Sequence, residues 1–107
     1  METYKLRYFF DPGSGICLWS ENDLARERFG YPVDLDSLAL TLSMKAQAAE
    51  LITRFDSSID WADASRPSPW SNEKRAQFET DAADFLRVLR ECLGTAFEIR
   101  DCSRWLP

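Results

Sequence analysis

Carboxylates, in three groups, are where this chain concentrates its reactive side chains. Asp34-Leu35-Asp36 has the D-x-D spacing of phosphoryl-transfer enzymes that pass through an aspartyl phosphate. That reaction needs the first acid at the end of a parallel strand, beside a magnesium ion held by further acids. The hydroxyl expected two residues after the second Asp is replaced by Leu38, and the chain is too short for a doubly wound sheet. The pair therefore reads as loop acids that cap a helical turn. Asp56, Asp60 and Asp63 form the second group. An EF-hand calcium loop would place acids at its first, third and fifth positions with Gly at the sixth, and neither holds here. Residues four apart share a helix face, so Asp56 and Asp60 are expected to project together from the end of a helix. The helix dipole disfavours carboxylates there, so something other than helix stability should account for them. In the third group Glu73, Asp84 and Glu91 fall near one line of a helix, with Asp81 to one side and Lys74 and Arg87 flanking. Asp84 and Arg87 are placed to form an intrahelical pair. A solvated outer face and a docking surface for a basic partner both fit this stripe.

No histidine occurs among the 107 residues. The usual proton shuttle and commonest metal ligand is thus missing. No Ser or Cys has a histidine partner, and Gly13-Ser14-Gly15 is turn chemistry rather than a nucleophile elbow. Gly-rich phosphate loops are lacking too. No catalytic residue, metal site or cofactor is expected. Cys17, Cys92 and Cys102 are odd in number and not in CxxC spacing, as for reduced thiols in a cytosolic protein.

With 18 acidic against 13 basic side chains the formal net charge is -5. Nucleic acid and anionic membrane, both bound through basic patches, are not expected as partners. Lys5 and Arg7 among Tyr4, Tyr8 and Phe9 imitate a stacking platform for single-stranded RNA, against which the overall charge argues. No signal-peptide pattern and no run of about 18 apolar residues is found, so a cytoplasmic protein is expected. Four tryptophans stand out. Trp19 is expected in the core and Trp105 on the sheet. Trp61 and Trp70 flank a proline-containing connection beside Asp60, Asp63 and Glu73, the composition of an interface hot spot or of a lid on a helix pair.

The elements that must position these groups follow from periodicity. Tyr4 to Phe10 alternates as a strand, with Tyr4, Leu6, Tyr8 and Phe10 on one face. Asp11-Pro12-Gly13-Ser14-Gly15 turns into a second strand, Ile16 to Trp19, making a hairpin. Ser20 and Asp23 have capping-box spacing, which predicts a helix over Glu21 to Phe29 stopped by Gly30. Tyr31 to Leu42 reads as a loop with one helical turn. Met44, Ala48, Leu51, Ile52, Phe55 and Ile59 make one apolar stripe, capped by Ser43; Phe78, Ala82, Phe85, Leu86, Leu89 and Leu93 repeat its offsets. The second of these helices starts at Ser68-Pro69 or Ser71 and ends at Gly94. Phe97 to Arg100 is a last strand. The expectation is one α+β domain over residues 1–107, β-β-α-α-α-β, with a small three-stranded antiparallel or mixed sheet and helices packed on one face.

In size, acidity and want of catalytic groups the whole chain resembles the small cytosolic immunity proteins of bacterial contact-dependent and polymorphic toxin systems. That resemblance implies a non-enzymatic protein that occludes a cognate toxin domain, often a basic nuclease. No motif of that class is present, DPGSG and RPSPW included, so it assigns no residues. The residues themselves nominate Asp56, Asp60, Trp61, Asp63, Trp70, Glu73, Asp81 and Asp84 as a surface for a basic protein partner. The alternative is an adaptor or assembly subunit. A monomer or weak dimer is expected in either case.

Overall fold

Tyr4–Tyr8 (β1) is the middle strand of a three-stranded sheet of order β2-β1-β3, where β2 is Leu18–Ser20 and β3 is Phe97–Asp101. The computed structural model describes residues 2–63 and 65–103. β2 runs antiparallel to β1, with Tyr8 opposite Leu18 and Leu6 opposite Ser20; β3 runs parallel to it, with Leu6 beside Ile99. The sheet is therefore mixed. Between β2 and β3 come the helices Asp23–Phe29 (α1), Leu42–Asp56 (α2) and Asn72–Leu93 (α3), with a 3-10 turn at Leu35–Ser37. The α+β order read from the sequence holds.

Alternation along β1 buries Leu6 and Tyr8, and Phe10 continues that face. Phe10 meets Phe55 of α2 at 5.6 Å and Phe78 of α3 at 5.4 Å between ring centroids. Deeper in, the Tyr8 hydroxyl donates to the Ala82 carbonyl of α3 at 2.9 Å. Burial, reinforced by the nearby Cys17 and Asp101, raises the Tyr8 pKa, so the phenol stays a donor. Met44, Ala48, Leu51 and Phe55 from α2 and Phe78, Ala82, Phe85, Leu86 and Leu89 from α3 fill the rest of this layer. α1 closes the start of the sheet, its Phe29 packing edge-on against Tyr4 at 5.1 Å.

Both edges of the sheet are occupied. On the β2 side, Ser20 N–H donates to Tyr31 O at 2.7 Å and Val33 N–H to Leu18 O at 2.9 Å. On the β3 side, Arg90 donates from Nε and Nη2 to Ile99 O at 3.2 and 2.7 Å. A guanidinium laid along a strand edge blocks pairing with a stray chain.

Several local readings are corrected. Regular β1 ends at Tyr8, and β2 starts at Leu18 rather than Ile16. Ser20 cannot cap α1, because it still belongs to β2 and its hydroxyl donates to Gly30 O. Asn22 caps instead, accepting from Ala25 N–H at 3.0 Å, so α1 begins at Asp23. Thr41, not Ser43, caps α2 by accepting from Met44 N–H at 3.1 Å. α2 then stops at Asp56, one turn before Ile59. Ser71 and Gly94 bound α3 as read. Trp105 lies outside the described residues.

Replacing Tyr8 by Phe deletes the sheet-to-α3 hydrogen bond while keeping the ring. The expected cost is about 1 kcal/mol, read as a lower urea midpoint with unchanged m-value.

Candidate functional site

The hairpin turn, the end of α2 and the connection after it converge at one end of the molecule. Pro12 and Gly13 occupy the two central positions of the turn, and Gly13 has φ +81°, which a type II turn requires at that place. Gly13 N–H donates to Asp56 Oδ1 at 2.9 Å. This explains an acid at a helix C-terminus: Asp56 holds the hairpin turn to α2. The same residue's carbonyl accepts from Trp61 Nε1 at 2.7 Å, and the ring lies over Gly13. A Cβ at position 13 would come within 3.2 Å of Trp61 Cη2, so the close approach needs glycine twice over, for φ and for space.

Trp61 remains 62% exposed. Its indole N–H is satisfied within the protein and its ring has a backing, which leaves a large apolar face held toward solvent. Asp60 and Asp63 continue from it, not on the helix face expected for Asp60 but in consecutive side-chain-to-backbone turns. Asp60 Oδ1 accepts from Ala62 N–H at 3.0 Å and from Asp63 N–H at 3.4 Å. Asp63 Oδ1 accepts from the Ser65 hydroxyl at 2.6 Å and from Ser65 N–H at 3.1 Å. Asp56 and Asp60 therefore do not project as a helical pair, because the helix has ended between them. The Ser65 hydroxyl, then its N–H, and then Arg66 hold the Asp63 carboxyl below its ordinary range. Arg66 lies 3.5 Å from Asp63 and 3.9 Å from Asp60, with its own side chain largely exposed. An exposed pair of this kind is worth little and exchanges readily for a partner's cation.

Trp70 turns the other way. It packs on Phe78 at 5.1 Å and edge-on to Phe55 at 6.4 Å, and its Nε1 donates to Ser57 Oγ at 2.9 Å. That makes it a lid on the α2–α3 pair, with Lys74 Nζ 5.9 Å from its ring. The two tryptophans nominated together thus have different surroundings.

The acids of α3 separate as well. Glu73 and Asp84 are exposed. Asp81 faces α2: Arg54 Nη1 lies 2.8 Å from its Oδ2 and 3.6 Å from Glu50, and Gln77 Nε2 donates to Asp81 Oδ1 at 2.9 Å. The Arg54 hydrogen bond chiefly, aided by Gln77, lowers the Asp81 pKa. Arg87 pairs with Glu91 at 3.4 Å, not with Asp84, so Asp84 keeps its charge open. Asp81, Asp84, Glu50, Arg54 and Arg87 line a shallow groove of about 370 Å³ between α2 and α3. Asp34 caps the 3-10 turn by accepting from Asp36 N–H at 2.9 Å, and Asp36 pairs with Lys45 at 3.2 Å.

Participation of the hairpin turn, through Gly13, is not visible in the sequence, where the turn and the acids read as separate features. Among the described residues no group of His, Cys, Asp or Glu is arranged to hold a metal ion, and no helix is long and apolar enough to cross a membrane. All three cysteines are unpaired, and burial pushes the Cys17 thiol up to about 12. No protein-family model and no curated protein matches the chain.

A carboxyl whose folded pKa is lowered stabilises the fold above its unfolded value, about 3.9 for Asp, and that stability is lost as pH falls through the folded value. Asp81→Asn should therefore melt below wild type at pH 7, with the gap closing as the pH drops below about 4. A thermal melt at each pH checks this; a gap that persists in acid would detach Asp81 from Arg54.

Proposed function

We propose that this chain is a non-enzymatic binding protein, an immunity protein that neutralises a basic, nuclease-type toxin domain by covering it with an acidic surface centred on Trp61. The observation that carries the reading is the indole of Trp61, backed by Gly13 and tied through Nε1 to Asp56 yet 62% exposed. An aromatic anchor already fixed in place loses little freedom on binding, which is how a small interface gains affinity. Asp60 and Asp63 beside it, on a chain of net charge -5, meet a cationic groove by the same field that draws phosphates. Cation exchange at Arg66 gives the two carboxylates new partners without first breaking a buried pair.

Within this reading the sites divide by whether their bonds stay within the connection or reach across the fold. Trp61, Asp60 and Asp63 form the centre, and Asp84 and Glu73 extend the negative field along α3. Asp56, Trp70 and Asp81 act by positioning, since each ties separate parts of the fold together: Asp56 to Gly13, Trp70 to Ser57 and Asp81 to Arg54. A cytoplasmic, bacterial setting belongs to the same proposal.

Co-expression with a toxin domain encoded beside the gene tests it. Survival should be restored by the wild-type chain; no rescue ends the proposal. Trp61→Ala is expected to weaken the complex by about 2 kcal/mol or more with only a modest fall in melting temperature from the lost bond to Asp56 O. Asp60→Lys with Asp63→Lys should instead slow association, by about tenfold or more at low salt, in stopped-flow measurements. An unaltered association rate would move the docking surface away from these acids.

A further inference from the structure

The face of the sheet turned away from α2 and α3 has its own chemistry. Alternation that buries Leu6, Tyr8 and Ile99 turns Lys5, Arg7, Trp19, Glu98 and Arg100 to the opposite side. In the register Arg7 lies between Trp19 on β2 and Arg100 on β3. Two guanidinium groups side by side on neighbouring strands repel. One carboxylate serves both: Glu21 Oε1 makes a close ion pair with Arg100 Nη2 and lies 3.5 Å from Arg7 Nε. That Nε is buried and makes no hydrogen bond.

Beside the two arginines opens a depression of about 390 Å³ bounded by Arg7, Phe9, Phe10, Arg100 and Cys102. Its aromatic wall is rigid. Phe9 stacks on Trp19 with centroids 4.8 Å apart and planes 6° from parallel, and Trp19 Nε1 donates to Phe9 O at 3.1 Å. The Arg100 side chain is 59% exposed, so most of its fork of donors faces solvent. On this face Lys5, Arg7 and Arg100 stand against Glu98 and Glu21, so a chain with a surplus of acids leaves one cation over here, next to an apolar wall.

We infer that this depression receives an acidic side chain of a partner protein, its carboxylate on Arg100 and Arg7 and its apolar neighbour on Phe9. Charge decides the class of occupant. One added carboxylate balances the cluster, and the guanidinium fork matches its two oxygens. A nucleic-acid strand would bring several phosphates against a molecule that is acidic elsewhere. The inference does not depend on the toxin reading, because its probe needs no toxin.

The test is a titration of the isotope-labelled full chain, followed by amide chemical shifts, with N-acetyl-Phe-Glu-amide, its Gln counterpart, inorganic phosphate and a thymidine oligonucleotide. Saturable shifts at Arg7, Phe9, Arg100 and Cys102 are expected with the Glu peptide and not with the Gln peptide. Arg100→Gln should weaken that binding by about tenfold with an unchanged urea midpoint. Arg100→Lys, which keeps the charge and loses the fork, should fall between. Equal responses to the Glu and Gln peptides, shifts confined to other residues, or tighter binding of phosphate or the oligonucleotide at this face would overturn the inference.

Discussion

Everything in the molecule is hung on the two-sided pairing of β1. The strand takes β2 antiparallel on one side and β3 parallel on the other. Its buried face then presents Tyr8 and Phe10 to α2 and α3. A parallel neighbour cannot be reached by a tight turn. All the helices therefore lie in the excursion from β2 to β3, and the acids and tryptophans of the candidate site ride on that excursion. Shifting the register of β1 by one residue would exchange the aromatic core for the arginine face.

Much of this is legible in the sequence alone. The alternation of Tyr4, Leu6, Tyr8 and Phe10, the apolar stripes of α2 and α3 and the turn DPGSG all reflect local periodicities that the fold left intact. Caps were misplaced where two local options competed. Ser20 has the right spacing for a capping box, but its sheet pairing with Leu6 claims it first, and Asn22 supplies the carbonyl oxygen. Thr41 and Ser43 are equally plausible by type, and only the backbone entering α2 decides between them.

The candidate site was legible in its members and illegible in its assembly. Asp56 stood out because a carboxylate at a helix C-terminus is unfavourable. Its partner, Gly13, lies 43 residues earlier, and no local pattern links them. Trp61 and Trp70 look alike in sequence, each beside acids at an end of the connection. The fold turns one outward over a glycine and the other inward onto Phe78. Residues of α3 separate for the same reason: whether Asp81 meets solvent or Arg54 depends on how two helices face each other, and spacing along one helix cannot convey that.

The parallel union of β1 with β3 also has a bearing on how the protein is made. A growing chain can zip β1 to β2 as soon as the hairpin clears the ribosome, but the other flank of β1 has no mate until residues 97 to 101 have emerged. Until then Leu6 and Tyr8 are only half enclosed, and contacts between such distant parts of a chain form slowly. Arg90, which lies just ahead of β3 in the order of synthesis, arrives in time to shut the new edge as the last strand seats. Completion of the sheet is thus a late event in folding, and the chain is most vulnerable to misassociation in the interval before it.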